Sequence, residues 1–377
     1  MKINIAVWWV LDYDTGCRET LGGLERWTRD IVLELVSRGY DVSVFQKSAV
    51  PYEKIYHGAR IIGVKSSRNF SGNLVFYREF KKRCSFDDLA IFISQDLLWG
   101  SEFKRSVAVN HGVWWSSRQS KIKRWALEFF NELYLKRASQ TICVDTNYIN
   151  WAIESVSGAH SMLSKLVYIP NYFDPRLFKA RRGGQHEGEL KILFPRRIMG
   201  DSIESEPRGG EDAIRALQLI RQSGVNATLT MLGEGNLSTD LKRLVVELGL
   251  DEFVSFRTAS FDDMPSFYET HEIVFVPSRF SEGTSLSAIE GLAAGCYVVG
   301  SCVGGLQNLP LFPPFGNMVV PNPGELANAV LSFADNNLAV ADLERSQLRN
   351  RVIDRFSIDR WKDSVLTVIE NVANGRN

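Results

Sequence analysis

The chain has 377 residues, 44 Lys/Arg against 44 Asp/Glu, 45% apolar and 23% charged residues, the composition of a soluble globular enzyme. Its length exceeds one ordinary core and suits two domains, and no apolar run reaches the ~18 residues of a membrane span. Five scattered cysteines without a C-x-x-C pair read as reduced thiols, which excludes a disulfide framework and a zinc site.

In chain order, residues 3–10 form a first apolar strand rather than a signal peptide, because no small-residue cleavage site follows it. Helical spacing over 24–37 precedes a strand at 41–45, and short buried strands follow at 89–94, 106–110 and 141–144. Alternating strand and helix signals predict a parallel, doubly wound sheet. The polar, glycine-rich stretch 179–189 is the linker candidate, which sets a first domain at 1–180. A second α/β domain, 190–356, restarts with a strand at 191–194, a helix at 211–222, a strand at 228–232 and a helix at 237–248. Strands at 273–276 and 297–299 bracket another helix, the pattern weakens after Gly305, and a helix returns at 324–333. A last helix, 359–372, is capped by Ser357. The first 180 residues hold 25 of the 44 Lys/Arg and 18 of the 44 Asp/Glu, so the first half is net basic and the second net acidic. A basic first half favours an anionic acceptor or a membrane surface, and drift between domains explains it equally. These features place the protein in the cytosol.

The densest signal lies between the strands at 273–276 and 297–299. Glu282 stands just before a Gly283-Thr284-Ser285 turn, and Glu290 lies inside the helix that the turn opens. Thr284 or Ser285 is expected to cap that helix, whose first N–H groups favour an anion such as a diphosphate. Glu290 is expected off the apolar stripe of Leu286, Ile289, Leu292 and Ala293, where a carboxylate can accept both hydroxyls of a ribose. Glu282, in the loop, is expected to reach a second polyol. Two solvated surface glutamates are the plainer alternative, and the Pro-Ser, Gly-Thr and Ala-Gly frame argues against it.

Other positions carry chemistry of the same kind. Arg196 and Arg197 follow the strand at 191–194, and Arg208 precedes Gly209-Gly210 and a helix, where its guanidinium is expected beside free N–H groups. Gly22-Gly23 opens the first helix and lets the backbone approach a phosphate or sugar. Its spacing is not the dinucleotide G-x-G-x-x-G. His111 stands at the carboxyl edge of the strand at 106–110. Gly233-Glu234-Gly235 and Arg257-Thr258 follow strands whose loops would frame a nucleobase. Asp12-Tyr13-Asp14 matches a metal-binding D-x-D, but it lies on the loop after the first strand and reads as loop polarity. The basic, aromatic segment 114–137 suits peripheral docking on anionic lipid as well as packing within the first domain. No nucleic-acid module accompanies it.

The stretch Glu282–Glu290 resembles the donor-site signature of the retaining glycosyltransferases of family 4. Gly22-Gly23, Ile169-Pro170-Asn171, Arg196-Arg197, Arg208-Gly209, Gly233-Glu234-Gly235 and Val303-Gly304-Gly305 support the resemblance in the family's order. The resemblance implies the GT-B architecture, two Rossmann-like α/β domains facing across a cleft, with the last helix (357–377) packing back on the first domain. It implies a nucleoside-diphosphate sugar as donor and a glycan or lipid-linked acceptor, with no other cofactor and no metal. Glu282 would hold the sugar, Glu290 the ribose, Arg197 and Arg208 the diphosphate, and His111 would align the reacting centre. Where the family has Gly-Arg this chain has Arg196-Arg197, and strand parity with the family alignment favours Arg197. With no nucleophilic carboxylate evident in the first domain, same-face attack with retention is the expected course. Surface-polysaccharide or lipopolysaccharide synthesis at the inner face of the plasma membrane is the expected setting. A GT-B epimerase or phosphorylase, and a non-catalytic sugar-nucleotide binder, are the alternatives.

Overall fold

The structure is a computed structural model that describes residues 1–20, 22–100, 103–113, 120–181, 188–280, 282–335 and 342–375. It divides into two units, Met1–Pro170 with Trp361–Asn377, and Asn171–Arg360.

The first unit contains β1 (Lys2–Val7), α1 (Gly23–Ser37), β2 (Asp41–Ser48), β3 (Tyr52–Tyr56), β4 (Ala59–Lys65), α2 (Ser71–Arg83), β5 (Leu89–Phe92), β6 (Arg105–Asn110), α3 (Lys121–Arg137), β7 (Gln140–Cys143), α4 (Thr146–Ser155) and β8 (Leu166–Tyr168). Among the described residues its sheet runs β3-β4-β2-β1-β5-β6-β7-β8, parallel except where β3 pairs antiparallel with β4. β5 is a short unbroken apolar run, and β1 after its first residue is broken only by the buried Asn4, as expected where both faces of a sheet are covered. The hairpin β3–β4 was not expected from sequence. It turns at His57-Gly58, both at positive φ, and its β3 face is too polar to alternate cleanly.

The second unit contains β9 (Leu190–Phe194), α5 (Gly210–Gln222), β10 (Ala227–Leu232), α6 (Ser238–Glu247), β11 (Val254–Arg257), α7 (Met264–Thr270), β12 (Ile273–Val276), α8 (Leu286–Ala294), β13 (Tyr297–Ser301), β14 (Gly316–Val319), α9 (Pro323–Asp335) and α10 (Asp342–Phe356). Its strands, all parallel among the described residues, lie in the order β11-β10-β9-β12-β13-β14. Chain order therefore reverses between β9 and β12, and in the first sheet between β1 and β5. Ligands of open α/β sheets bind at the carboxyl ends of the strands that flank such a reversal. Both units are thus doubly wound α/β sheets, as expected.

One boundary differs from the sequence reading. The linker position places residues 171–180 in the first domain, yet they belong to the second unit. Phe173 and Phe178 are buried in its core, and the Phe173 N–H donates to Phe356 O at 2.9 Å. Most of the linker candidate (182–187) lies outside the described residues. The final helix, α11 (Ile358–Ala373), carries Trp361, whose ring meets Trp27 of α1 edge-on at 5.0 Å. Lys362 pairs with Glu34 at 2.9 Å beside it. Among the described residues no helix is long and apolar enough to cross a membrane.

Trp27 and Trp361 are 1% and 2% exposed. Trp361→Ala should therefore destabilise the first unit by about 3–5 kcal/mol, read as a lower urea midpoint.

Candidate active site

Two connections, β9 to α5 and β12 to α8, meet at the reversal point of the second sheet. The chain leaves β9 through Pro195-Arg196-Arg197, leaves β12 through Pro277-Ser278, and enters α8 through Glu282-Gly283-Thr284-Ser285. The Arg196 guanidinium donates to Glu282 Oε2 and, at 3.3 Å, to Ser285 Oγ. Arg208 donates to the same carboxylate oxygen, and so does Ser278 Oγ at 2.7 Å. The carboxylate is 11% exposed, Arg196 is buried, and Arg208 is the open member at 39%. Burial pushes the Glu282 carboxyl up, but the charges of Arg196 and Arg208 and the Ser278 hydroxyl outweigh it and hold the pKa at about 2. Burial also pulls Arg196 below its usual range, and the Glu282 charge opposes that shift.

The main chain around Glu282 is fixed as tightly as the side chain. Gly305 N–H donates to Glu282 O at 2.6 Å, and a Cβ on Gly304 would lie 2.2 Å from that oxygen. Only glycine fits there, which accounts for the Val303-Gly304-Gly305 segment. Asn171 Nδ2 donates to Thr284 O at 2.7 Å, and Ser287 Oγ to Pro195 O at 2.9 Å. Ser285 is the N-cap residue of α8, but its hydroxyl accepts from Arg196 and makes no cap hydrogen bond to the helix. That helix start is the anion-favouring feature that the sequence suggested.

The start of α5 departs from expectation. Its first N–H is not free, because the buried Glu206 carboxylate accepts from Gly210 N at 2.9 Å as well as from Arg208 N at 2.8 Å. Burial raises the Glu206 pKa against those bonds. Gly209 packs where a Cβ would lie 2.1 Å from Pro277 O, which seats this loop on the end of β12. Arg279, which sequence reasoning missed, clamps the same region. It bonds both Asp212 oxygens at 2.5 and 2.6 Å, Glu211 at 3.1 Å and the carbonyl of Ile203 at 3.0 Å. The acidic partners begin a helix 67 residues earlier in the chain, so no local pattern links them.

Arg196 joins the Glu282 cluster, whereas Arg197 is exposed on the same loop. Glu290 is 5% exposed and accepts from Tyr268 Oη at 2.9 Å, so it faces α7 within the packed side of α8 rather than lying off it. Gly233 and Gly235 lie under the arginine loop. A Cβ on Gly235 would overlap Ile198 O at 1.6 Å, and Ile198 N–H donates to Glu234 O at 3.1 Å. Arg257 and Thr258 are exposed at the end of β11.

In the first unit, Gly22 and Gly23 begin α1, again without a side-chain cap. His111 follows β6 and meets Trp27 of α1 edge-on at 6.1 Å. Burial pulls its pKa down to about 4 against a hydrogen bond with the Ile93 backbone, and Nε2 is buried with no partner among the described residues. The ring is therefore neutral at pH 7 and able to accept a hydrogen bond. Asp12 takes the N–H groups of Thr15, Cys17 and Arg18 at 2.7–2.9 Å, and Asp14 pairs with Arg68 at 2.9 Å. Residues 114–119 of the basic, aromatic segment lie outside the described residues; α3 itself exposes Ile122, Trp125 and Phe129.

The sequence model "Glycosyltransferase Family 4" matches residues 21–177, and "Glycosyl transferases group 1" matches 199–336. Among curated proteins, the D-inositol 3-phosphate glycosyltransferase of Pseudarthrobacter chlorophenolicus is 33% identical over 135 residues, 34% of this chain and 30% of that one. The 2-deoxystreptamine glucosyltransferase of Streptomyces kanamyceticus is 30% identical over 129 residues, 34% of this chain and 32% of its own. These matches span about a third of the curated relatives' length. Among solved structures, the sucrose-phosphate synthase of Thermosynechococcus elongatus aligns with TM-score 0.80 at 18% identity, over 99% of both chains. Anabaena HepE in complex with UDP-glucose aligns with TM-score 0.75 at 17% identity, over 98% of this chain and 100% of that one.

Two tests follow from the carboxylates. Glu206→Ala, which uncaps α5, should lower stability by about 1–2 kcal/mol, with Glu206→Gln closer to wild type in urea denaturation. Glu282 has a folded pKa of about 2, below its usual 4.5, so the unfolded chain binds the proton first. Its contribution is present above pH 4.5 and disappears as pH falls through 2. Glu282→Gln should flatten that part of the acid-denaturation curve.

Proposed function

Because the chain belongs to glycosyltransferase family 4 and has the GT-B fold, we propose that it transfers a sugar from a nucleoside-diphosphate donor to a hydroxyl of a glycan or glycolipid. The observation that carries this reading is the pair of guanidinium groups converging on one carboxylate beside the start of α8. A diphosphate needs such a cationic pocket both to bind and to leave. Arg196 and Arg208 supply the charge that other transferases draw from a divalent ion, and no metal is part of the reading.

In this scheme the diphosphate takes over Arg208, the more exposed member of the cluster, and shares Arg196. Glu282 then turns to a hydroxyl of the donor sugar, and Glu290, fixed by Tyr268, accepts the ribose hydroxyls. In the first unit His111, whose Nε2 has no hydrogen-bond partner among the described residues, is the candidate for aligning the reacting centre. The bond from the anomeric carbon to the diphosphate oxygen breaks, and the acceptor oxygen bonds to that carbon on the same face. The acceptor's proton passes to the departing phosphate oxygen, which gives retention. Trapping of a covalent glycosyl-enzyme would contradict this course. Surface-polysaccharide or lipopolysaccharide assembly is the setting that such an acceptor implies.

HepE holds UDP-glucose in its solved structure, so UDP and UDP-sugars are the first donors to test. UDP at a hundred times its dissociation constant should add ~2.7 kcal/mol to stability, visible as a thermal shift. Arg208→Ala should weaken UDP binding about tenfold or more, since it removes charge-assisted hydrogen bonds. A wild-type protein that neither shifts with UDP, GDP or ADP nor consumes any of their sugar derivatives would exclude the reading.

A further inference from the structure

The first sheet has its own reversal point, between β1 and β5, and the donor chemistry leaves it unused. Trp8 follows β1 and Asp96 lies in the turn after β5. The indole N–H of Trp8 donates to Asp96 Oδ2 at 3.1 Å, and Asn73 Nδ2 donates to the same oxygen at 2.7 Å. Behind them lies Lys47, only 1% exposed, whose ammonium donates to Asn73 Oδ1 at 2.8 Å and to the carbonyls of Arg68 and Asn69. The carboxylate is thus held from one side by a buried polar chain. Its other oxygen, Oδ1, takes no hydrogen bond from another described residue, and Asp96 is partly exposed.

The loop that carries the tryptophans is rigid. The Val10 and Leu11 N–H groups both donate to Oε1 of the buried Gln46, at 3.0 and 2.9 Å, and Trp8 N–H donates to Ser94 Oγ at 3.2 Å. Trp9 is partly exposed and lies 5.9 Å from Trp8, tilted by 31°, with Tyr13 edge-on beyond it at 6.4 Å. A carboxylate with one oxygen fixed and one open stands at the edge of a preorganised aromatic surface. Burial raises the Asp96 pKa to about 6, against the pull of Asn73, Trp8 and Lys47. A group kept partly desolvated at a ligand-binding edge of the fold is a functional candidate.

The chemistry of the occupant follows from these groups. A carboxylate oxygen accepts sugar hydroxyls, and an indole face covers the apolar C–H face of a pyranose. An anionic ligand would meet the Asp96 charge. A metal ion would find one carboxylate, with no group of three His, Cys, Asp or Glu side chains placed to hold it among the described residues. An anionic lipid surface would be repelled here, and suits instead the lysines and arginine around Trp125 on α3.

We infer that Asp96, Trp8 and Trp9 form a subsite for a neutral sugar ring at the reversal point of the first sheet. Its role as the acceptor subsite rests on the transferase reading above; its binding of a sugar does not. The test is a saturation-transfer NMR titration of the full chain with methyl α-D-glucopyranoside, methyl α-D-mannopyranoside and methyl β-D-galactopyranoside. At least one should bind saturably, with a dissociation constant on the order of 1 mM. Asp96→Asn, close to isosteric, should weaken that binding about tenfold, and Trp9→Leu should weaken it about fivefold, in proteins of native circular dichroism. Absence of binding to all three glycosides, or equal binding by wild type and both variants, overturns the inference. Sedimentation with phosphatidylglycerol–phosphatidylcholine vesicles that depends on Trp9, without glycoside binding, also overturns it and makes the face a membrane surface. The readout needs no donor. A protein that binds a glycoside through Asp96 but no nucleoside diphosphate loses the transferase reading and keeps the subsite, and the converse result does the reverse.

Discussion

The carboxylate of Glu282, gripped by Arg196 and Arg208, is the contact on which the second unit's site depends. It draws together two distant connections, the one from β9 to α5 and the one from β12 to α8, since Arg196 and Arg208 lie 86 and 74 residues from Glu282. Two guanidinium groups this close repel each other, and one shared anion turns the repulsion into a bridge. Such a bridge is poor evidence of stabilisation, because desolvating three charges offsets much of their attraction. Its value lies in geometry. Losing one partner would leave a buried charge uncompensated, so the loops are held in one arrangement. The backbone contacts at Gly209 and Gly304 serve the same end, since each brings two main chains closer than any side chain permits.

The two sheets share their winding but carry opposite chemistry at their reversal points. The second unit presents arginines there, although its half of the sequence is net acidic. The first presents a carboxylate among indoles, although its half is net basic. Net charge is therefore a poor guide to either site. Surface charges at a distance are screened over about a Debye length, whereas a site is governed by the few groups that water cannot reach. The basic surplus of the first half is visible on α3, where Lys121, Lys123 and Arg124 are exposed around Ile122 and Trp125.

Much of this was legible in the sequence. Unbroken apolar runs gave the central strands, and the Glu282 motif gave the start of α8, because both signals are local. What escaped was set by contacts across the fold. The pairing of Arg196 with Glu282 is one such contact, because Pro195 ends β9 and alternation no longer holds where the arginines stand. Glu206 reads as one more polar residue in an irregular loop until its carboxylate is seen to cap α5. Glu290 falls outside the apolar stripe of α8 by period, yet α8 is buried on nearly every side and α7 supplies Tyr268 to receive it. Asp96 sits in the run Ser94–Gly100 with no motif at all; its partners Trp8 and Asn73 come from other elements.

The resident carboxylate also bears on how a donor site of this kind works. A cationic pocket without an anion would be costly to bury, and a permanently neutralised one would attract no diphosphate. Glu282 avoids both limits because its partners differ in exposure. Arg196 is nearly buried and holds the carboxylate from behind, while Arg208 at 39% exposure can exchange one anion for another with little desolvation. A diphosphate carries more charge and more acceptor oxygens than one carboxylate oxygen, so on the transferase reading it wins Arg208 by charge-assisted bonds alone. The displaced Glu282 remains ionised, since Arg196 and Ser278 still favour its charged form. An ionised acceptor is what a sugar hydroxyl requires, so the same exchange that seats the diphosphate frees the group that would orient the sugar.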